Sequence, residues 1–148
     1  MSRVEVQNRA YEGRVFTRGT VLILQPDRIP AKQFRVFQDT TKSPRLHHLR
    51  DYARVEVAPD GHLTAGPGDF LLMQGTRLVV LDLQVKADRV HLWTHTLEPV
   101  ETEQTEHGKE VYGCTEFVFF FHASVLEQGD LSTVQSRVDQ WLALASAT

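Results

Sequence analysis

Two histidines flank a tryptophan in Val90-His91-Leu92-Trp93-Thr94-His95. Imidazole and indole groups on one face could serve metal ligation, proton transfer or aromatic contact. The spacing decides among them. Apolar and polar residues alternate here, which predicts a strand with His91, Trp93 and His95 on the face opposite Val90 and Leu92. Residues four apart on a strand are separated by about 13 Å, at roughly 3.3 Å per residue. Metal-bound nitrogens sit at only about 2.0–2.1 Å from the ion. His91 and His95 therefore cannot close on one metal, and recognition is the chemistry left to this face. A tryptophan contributes contact area at low entropic cost. The plainer expectation is that Trp93 packs beneath the acidic connection 98–110.

A second cluster lies in Lys42-Ser-Pro-Arg-Leu-His-His-Leu-Arg-Asp51. Arg45, His47, His48 and Arg50, with Lys42 and Arg54, offer a basic face for an anionic ligand, since the guanidinium fork matches phosphate geometry. Phe34, Phe37 and Tyr52 lie nearby in sequence and could stack on bases. A sequence pI of about 6.1 weighs against nucleic acid. In a helix His47 and Asp51 would share a face, and His62 could join them, but two ligands are not a metal site. No metal is assigned, and a solvated basic face is the plainer reading.

Cys114 is the one cysteine, so no internal disulfide forms. It shares a strand face with Glu116, Val118, Phe120 and His122. His122, eight residues on, is about 26 Å away along a straight strand. A Cys–His couple within that strand is excluded, and a buried inert thiol is expected. Gly66-Pro67-Gly68 lacks the Gly-Lys-Ser/Thr ending of a phosphate loop and reads as a turn. Neither Gly-x-Ser-x-Gly nor His-Glu-x-x-His occurs. The carboxylates at Glu98, Glu101, Glu103, Glu106 and Glu110 fall in a polar connection, which does not supply the desolvation an acid–base pair needs. No catalytic residue and no cofactor is assigned.

The elements that position these groups are mostly strands. Val21–Leu24 reads as a buried strand ended by Pro26 and Asp27, and Phe34–Phe37 as a second. Ser43-Pro44 opens a short helix in which Leu46, Leu49 and Ala53 share a side, while Tyr52–Val57 alternates as a strand. Pro59-Asp60-Gly61-His62 is a turn. Phe70–Met73, Arg77–Lys86, Arg89–Leu97 and Val111–His122 follow as strands. In Arg77–Lys86 the apolar side is Val79, Leu81, Leu83 and Val85. Phe117–Phe121 is apolar on both sides and belongs mid-sheet. Residues 130–146 switch to helical spacing, with Leu131, Val134, Val138, Trp141, Leu142 and Ala145 on one stripe. Ser132 with Gln135 reads as a capping box, and Asp130 adds charge at the positive end of the dipole.

The fold class is thus mainly β: a small antiparallel barrel or strongly bent sheet of about six to eight strands, capped by a C-terminal amphipathic helix anchored by Trp141. In outline this resembles the pleckstrin-homology-like barrels, whose C-terminal helix plugs one mouth of a bent sheet. The resemblance covers strand number, the place of the helix and Trp141. It carries no site residue.

A chain of 148 residues fits one domain and, at 41% hydrophobic residues, can build a core without disulfides or metals. Residues 1–14 read as a loose N-terminal segment. Arg3, Glu5, Arg9, Glu12, Arg14 and Arg18 exclude the apolar run of a signal peptide, though a trimmed leader is compatible. No apolar run approaches the roughly 20 residues of a membrane span. A soluble, cytoplasmic protein is expected. Residues 1–54 carry a net +6 and residues 55–148 a net −9, signs that neutralise if the two parts lie together.

With no catalytic constellation, the expectation is a non-enzymatic binding or adaptor module. Its partner would be a protein or an anionic ligand, met by Trp93, His91 and His95 or by the basic residues Arg45, His47, His48 and Arg50. The alternatives are a carrier or enzyme with a site inside the barrel, lined by inward histidines or Tyr112, and a homo-oligomer paired through an uncovered strand edge.

Overall fold

Period-two alternation dominates the chain, and the backbone follows it. The computed structural model describes residues 19–35, 51–100 and 111–145. In chain order the strands are β1 (Val21–Leu24), β2 (Ile29–Arg35), β3 (Ala53–Val57), β4 (Leu63–Ala65), β5 (Phe70–Leu72), β6 (Arg77–Val85), β7 (Arg89–Thr96) and β8 (Val111–Phe120). Two helices, α1 (Ala123–Glu127) and α2 (Leu131–Asp139), precede a last strand, β9 (Leu142–Leu144). The order across the sheet is β4-β3-β8-β7-β6-β1-β9, curled into a half-barrel. β2 pairs with β5 and β8 beside this path. A mainly β, strongly bent sheet with a helix near the C-terminus is therefore the fold. No helix among the described residues is long and apolar enough to cross a membrane.

β8 is the central strand, as its doubly apolar sequence requires. Phe117 and Phe119 face the core, and Cys114 and Val118 on the opposite face are also fully buried. β7 pairs along one edge of β8. The other edge is shared: β2 takes Val111–Cys114 antiparallel, and β3 takes Thr115–Phe119 parallel. That parallel pair is the one departure from an all-antiparallel sheet among the described strands. Three threonines close the seam where β2, β7 and β8 meet. The Thr94 hydroxyl donates to the Thr115 carbonyl at 2.9 Å, and the Thr115 hydroxyl to the Pro30 carbonyl at 2.8 Å. Thr96 Oγ1 accepts from the Gly113 N–H at 3.1 Å. Gly113 is needed there: a Cβ would lie 3.0 Å from both the Phe70 ring and the Ala31 methyl.

Several expectations are corrected. In β6 the apolar side changes phase, because a bulge falls between Val80 and Asp82. Leu78 and Val80 are core residues, and Val79 stands opposite His95 on the outer face. The second strand begins at Ile29 rather than Phe34, and Ala53 opens β3 rather than closing a helix. The rest of that helix, 43–50, lies outside the described residues, as do residues 1–14. The C-terminal helix stops at Asp139. Beyond it, the Trp141 carbonyl accepts the Gln25 N–H at 2.9 Å, and Leu142–Leu144 pairs with β1. An otherwise open sheet edge outweighs helical propensity over those residues. Trp141 still packs against the core, from the turn after the helix.

The N-cap of α2 is Asp130, not Ser132. Its carboxylate accepts the Thr133 N–H at 3.1 Å and the Thr133 hydroxyl at 2.6 Å. The Thr133 hydroxyl, then its N–H, lower the carboxyl pKa below the ordinary aspartate value. A carboxyl depressed in the folded state stabilises it above the unfolded pKa, and the contribution is lost as pH falls through the folded value. Asp130→Asn keeps an acceptor but cannot titrate. Thermal melts of the two proteins should therefore converge as pH falls below about 4, the wild type losing its advantage over the variant. A constant offset across that range would show that Asp130 does not titrate with folding.

Candidate functional site

β7 carries His91, Trp93 and His95 on the sheet's outer face, as the alternation predicts. Register supplies their neighbours. His91 stands between Gln84 of β6 and Val118 of β8, Trp93 between Asp82 and Glu116, and His95 between Val79 and Cys114. Glu116 in turn stands beside Arg54 of β3. The outer face thus holds one continuous row, Asp82–Trp93–Glu116–Arg54, drawn from four strands.

Within this row three groups interlock. His91 Nδ1 lies 2.7 Å from Glu116 Oε2, a diagonal cross-strand contact. The imidazole stacks on the Trp93 indole, with centroids 5.5 Å apart and planes 14° from parallel. His91 is only 6% exposed, while Trp93 is partly exposed. A carboxylate against Nδ1 fixes the proton on that nitrogen and turns Nε2 into an acceptor in the neutral ring. His91 Nε2 is buried and has no hydrogen-bond partner. His95 is held separately: its Nδ1 lies 2.7 Å from the Thr96 carbonyl, and its ring meets Tyr112 edge-on at 5.9 Å. His91 and His95 do not converge, and no group of three metal-ligating side chains occurs among the described residues.

Tyr112 and both histidines face outward, so they do not line the interior. Glu116 is the member of this cluster that the sequence did not single out. The signal was present, as the one carboxylate within the otherwise uncharged strand Val111–Phe120. Its partner 25 positions away was not readable from sequence. Arg54, at the end of the row, is half-exposed and bonds Glu56 at 3.2 Å. Arg45, His47, His48 and Arg50 lie outside the described residues, as do Lys42, Phe37 and most of the acidic connection. Clefts among the described residues flank the sheet. One of about 280 Å³ lies among Arg77, Thr96, Glu98 and Val100, where Arg77 pairs with Glu98. One of about 190 Å³ lies among Arg54, Glu56, Thr64, Ala65 and Gly66.

Glu116 and His91 act as a unit, so their removal should be non-additive. Glu116→Ala strips a nearly buried imidazole of its partner and should cost about 1–3 kcal/mol. His91→Phe in the same background should restore part of that, because the orphaned polar ring is gone. Denaturant unfolding of both single variants and the double variant measures the coupling. Strict additivity would mean that the 2.7 Å contact contributes nothing.

No protein-family model, no curated protein and no solved structure matches the chain.

Proposed function

We propose that the chain is a non-enzymatic binding module that recognises a protein partner through the outer face of β7 and β8, centred on Trp93. The observation that carries this reading is the stacked His91–Trp93 pair held by Glu116. An indole fixed in one rotamer before contact loses little entropy on binding, which is what preorganised aromatic anchors supply. Asp82, Gln84 and Arg54 surround it with groups of both signs, as suits a polar rim around an aromatic centre. This mixture favours a protein over an anionic ligand, since the one described cation of the row is engaged by Glu56.

A site inside the sheet has less support. Among the described residues, the buried polar side chains on the inner face are Thr94, Thr96 and Thr115, and each is engaged with backbone. The cleft at Arg77 and Glu98 falls below the roughly 300–1,000 Å³ of ordinary ligand sites, and its arginine is engaged by Glu98.

Trp93→Ala tests the reading. Proteins retained on the immobilised wild type should be lost from the variant, with affinity falling at least ~10-fold for a central aromatic anchor. A thermal melt and far-ultraviolet circular dichroism confirm that the variant is folded. Equal retention by a folded variant, or nothing retained by the wild type, would remove the proposal.

A further inference from the structure

Among the described strands β4 ends the sheet at one side, and its geometry identifies a second surface that does not involve Trp93. The β3–β4 connection is a tight hairpin. The Gly61 N–H donates to the Ala58 carbonyl at 2.8 Å, with Gly61 at φ +92°, and the Ala58 N–H donates to the His62 carbonyl at 2.8 Å. Asp60 Oδ1 accepts the His62 N–H at 2.9 Å, and Arg137 of α2 donates to the Pro59 carbonyl at 2.7 Å. The hairpin is therefore fixed to the helix as well as to the sheet.

The ladder sets which backbone groups are left over. The Gly66 N–H donates to the Arg54 carbonyl at 2.8 Å, and His62 bonds Ala58. With alternation, His62, Thr64 and Gly66 turn their backbone groups toward β3, and Leu63 and Ala65 turn theirs to the open edge. Leu63 is partly exposed, and Thr64 and Ala65 are exposed. The strand carries no lysine, proline or bulge, three of the devices that blunt an edge. The opposite end of the sheet differs: Leu142 of β9 is fully buried, backbone included, so that edge is not open there.

We infer that β4 pairs antiparallel with β4 of a second copy, about a two-fold axis at Thr64. In that register Leu63 faces Ala65 of the copy, and each pair exchanges its outward N–H and C=O groups. Thr64 faces Thr64, a favourable cross-strand pair. His62 faces Gly66, so no like charges oppose one another. The sequence is self-complementary about this axis, which is what an isologous contact demands. A three-residue strand buries far less than the roughly 1,200 Å² of a stable interface. The dimer is accordingly weak and concentration-dependent.

Analytical ultracentrifugation across a concentration series up to about 1 mM reads the state of the full chain. Doubling of mass is expected for the wild type. Thr64→Lys places like charges on the axis without removing a backbone bond to β3, where it faces Glu56, and should weaken association more than ~10-fold. Mixing Thr64→Lys with Thr64→Glu should restore a mixed dimer. Ala65→Pro removes an outward N–H alone and should act as Thr64→Lys does. A wild type that stays monomeric throughout overturns the inference, and so does a dimer indifferent to both substitutions.

Discussion

Everything in this protein turns on how β8 satisfies its backbone. Ten residues, buried to large extent on both faces, leave the strand no water for its N–H and C=O groups. β7 meets the need along one edge. On the other edge no single strand does so: β2 stops at Cys114 and β3 begins at Thr115. Two strands of opposite direction meet there end to end. The threonine bonds at Thr94, Thr96 and Thr115 lie beside this junction and tie β8 to β7 and to β2.

The same constraint builds the outer face. Because β3 runs parallel to β8, Arg54 falls beside Glu116 and continues the row that starts at Asp82. The bulge in β6 is part of the same arrangement. It brings Asp82, rather than Leu81, opposite Trp93. Without that extra residue a leucine would sit against the indole and a carboxylate would turn toward the core. One inserted residue thus sets the polarity of the whole row.

Local patterns carried most of the fold, and non-local pairing carried the rest. Alternation marked β3, β7 and β8 because each buries one or both faces. It lost phase in β6, since a bulge leaves no mark in a run such as Leu78-Val-Val-Leu-Asp82. The C-terminal stripe was ambiguous for a different reason. Trp141, Leu142 and Ala145 continue the helical spacing, yet Leu142 and Leu144 also alternate, and the open edge of β1 selected the strand. At the site, the outward placement of His91, Trp93 and His95 followed from period two. The His91–Glu116 contact joins residues 25 apart, and only the sheet register brings them together. The interior histidine or tyrosine lining failed on parity alone: Tyr112, His91 and His95 share a face with Cys114 and Glu116, not with Phe117.

His91 sits where a purely structural residue would be apolar. Val118 beside it is fully buried, and a phenylalanine would present a flat ring there without a polar atom. Imidazole instead leaves Nε2 buried without a partner, at a cost of about 1–3 kcal/mol in stability. Orphaned buried groups are rare and concentrate where something other than stability is being served. The ring makes two other contacts. Glu116 fixes its orientation through Nδ1, and its flat face fixes the orientation of Trp93. A phenylalanine could stack on the indole but could not be held by a carboxylate. The imidazole does both, and so links the Glu116 carboxylate to a partly exposed indole.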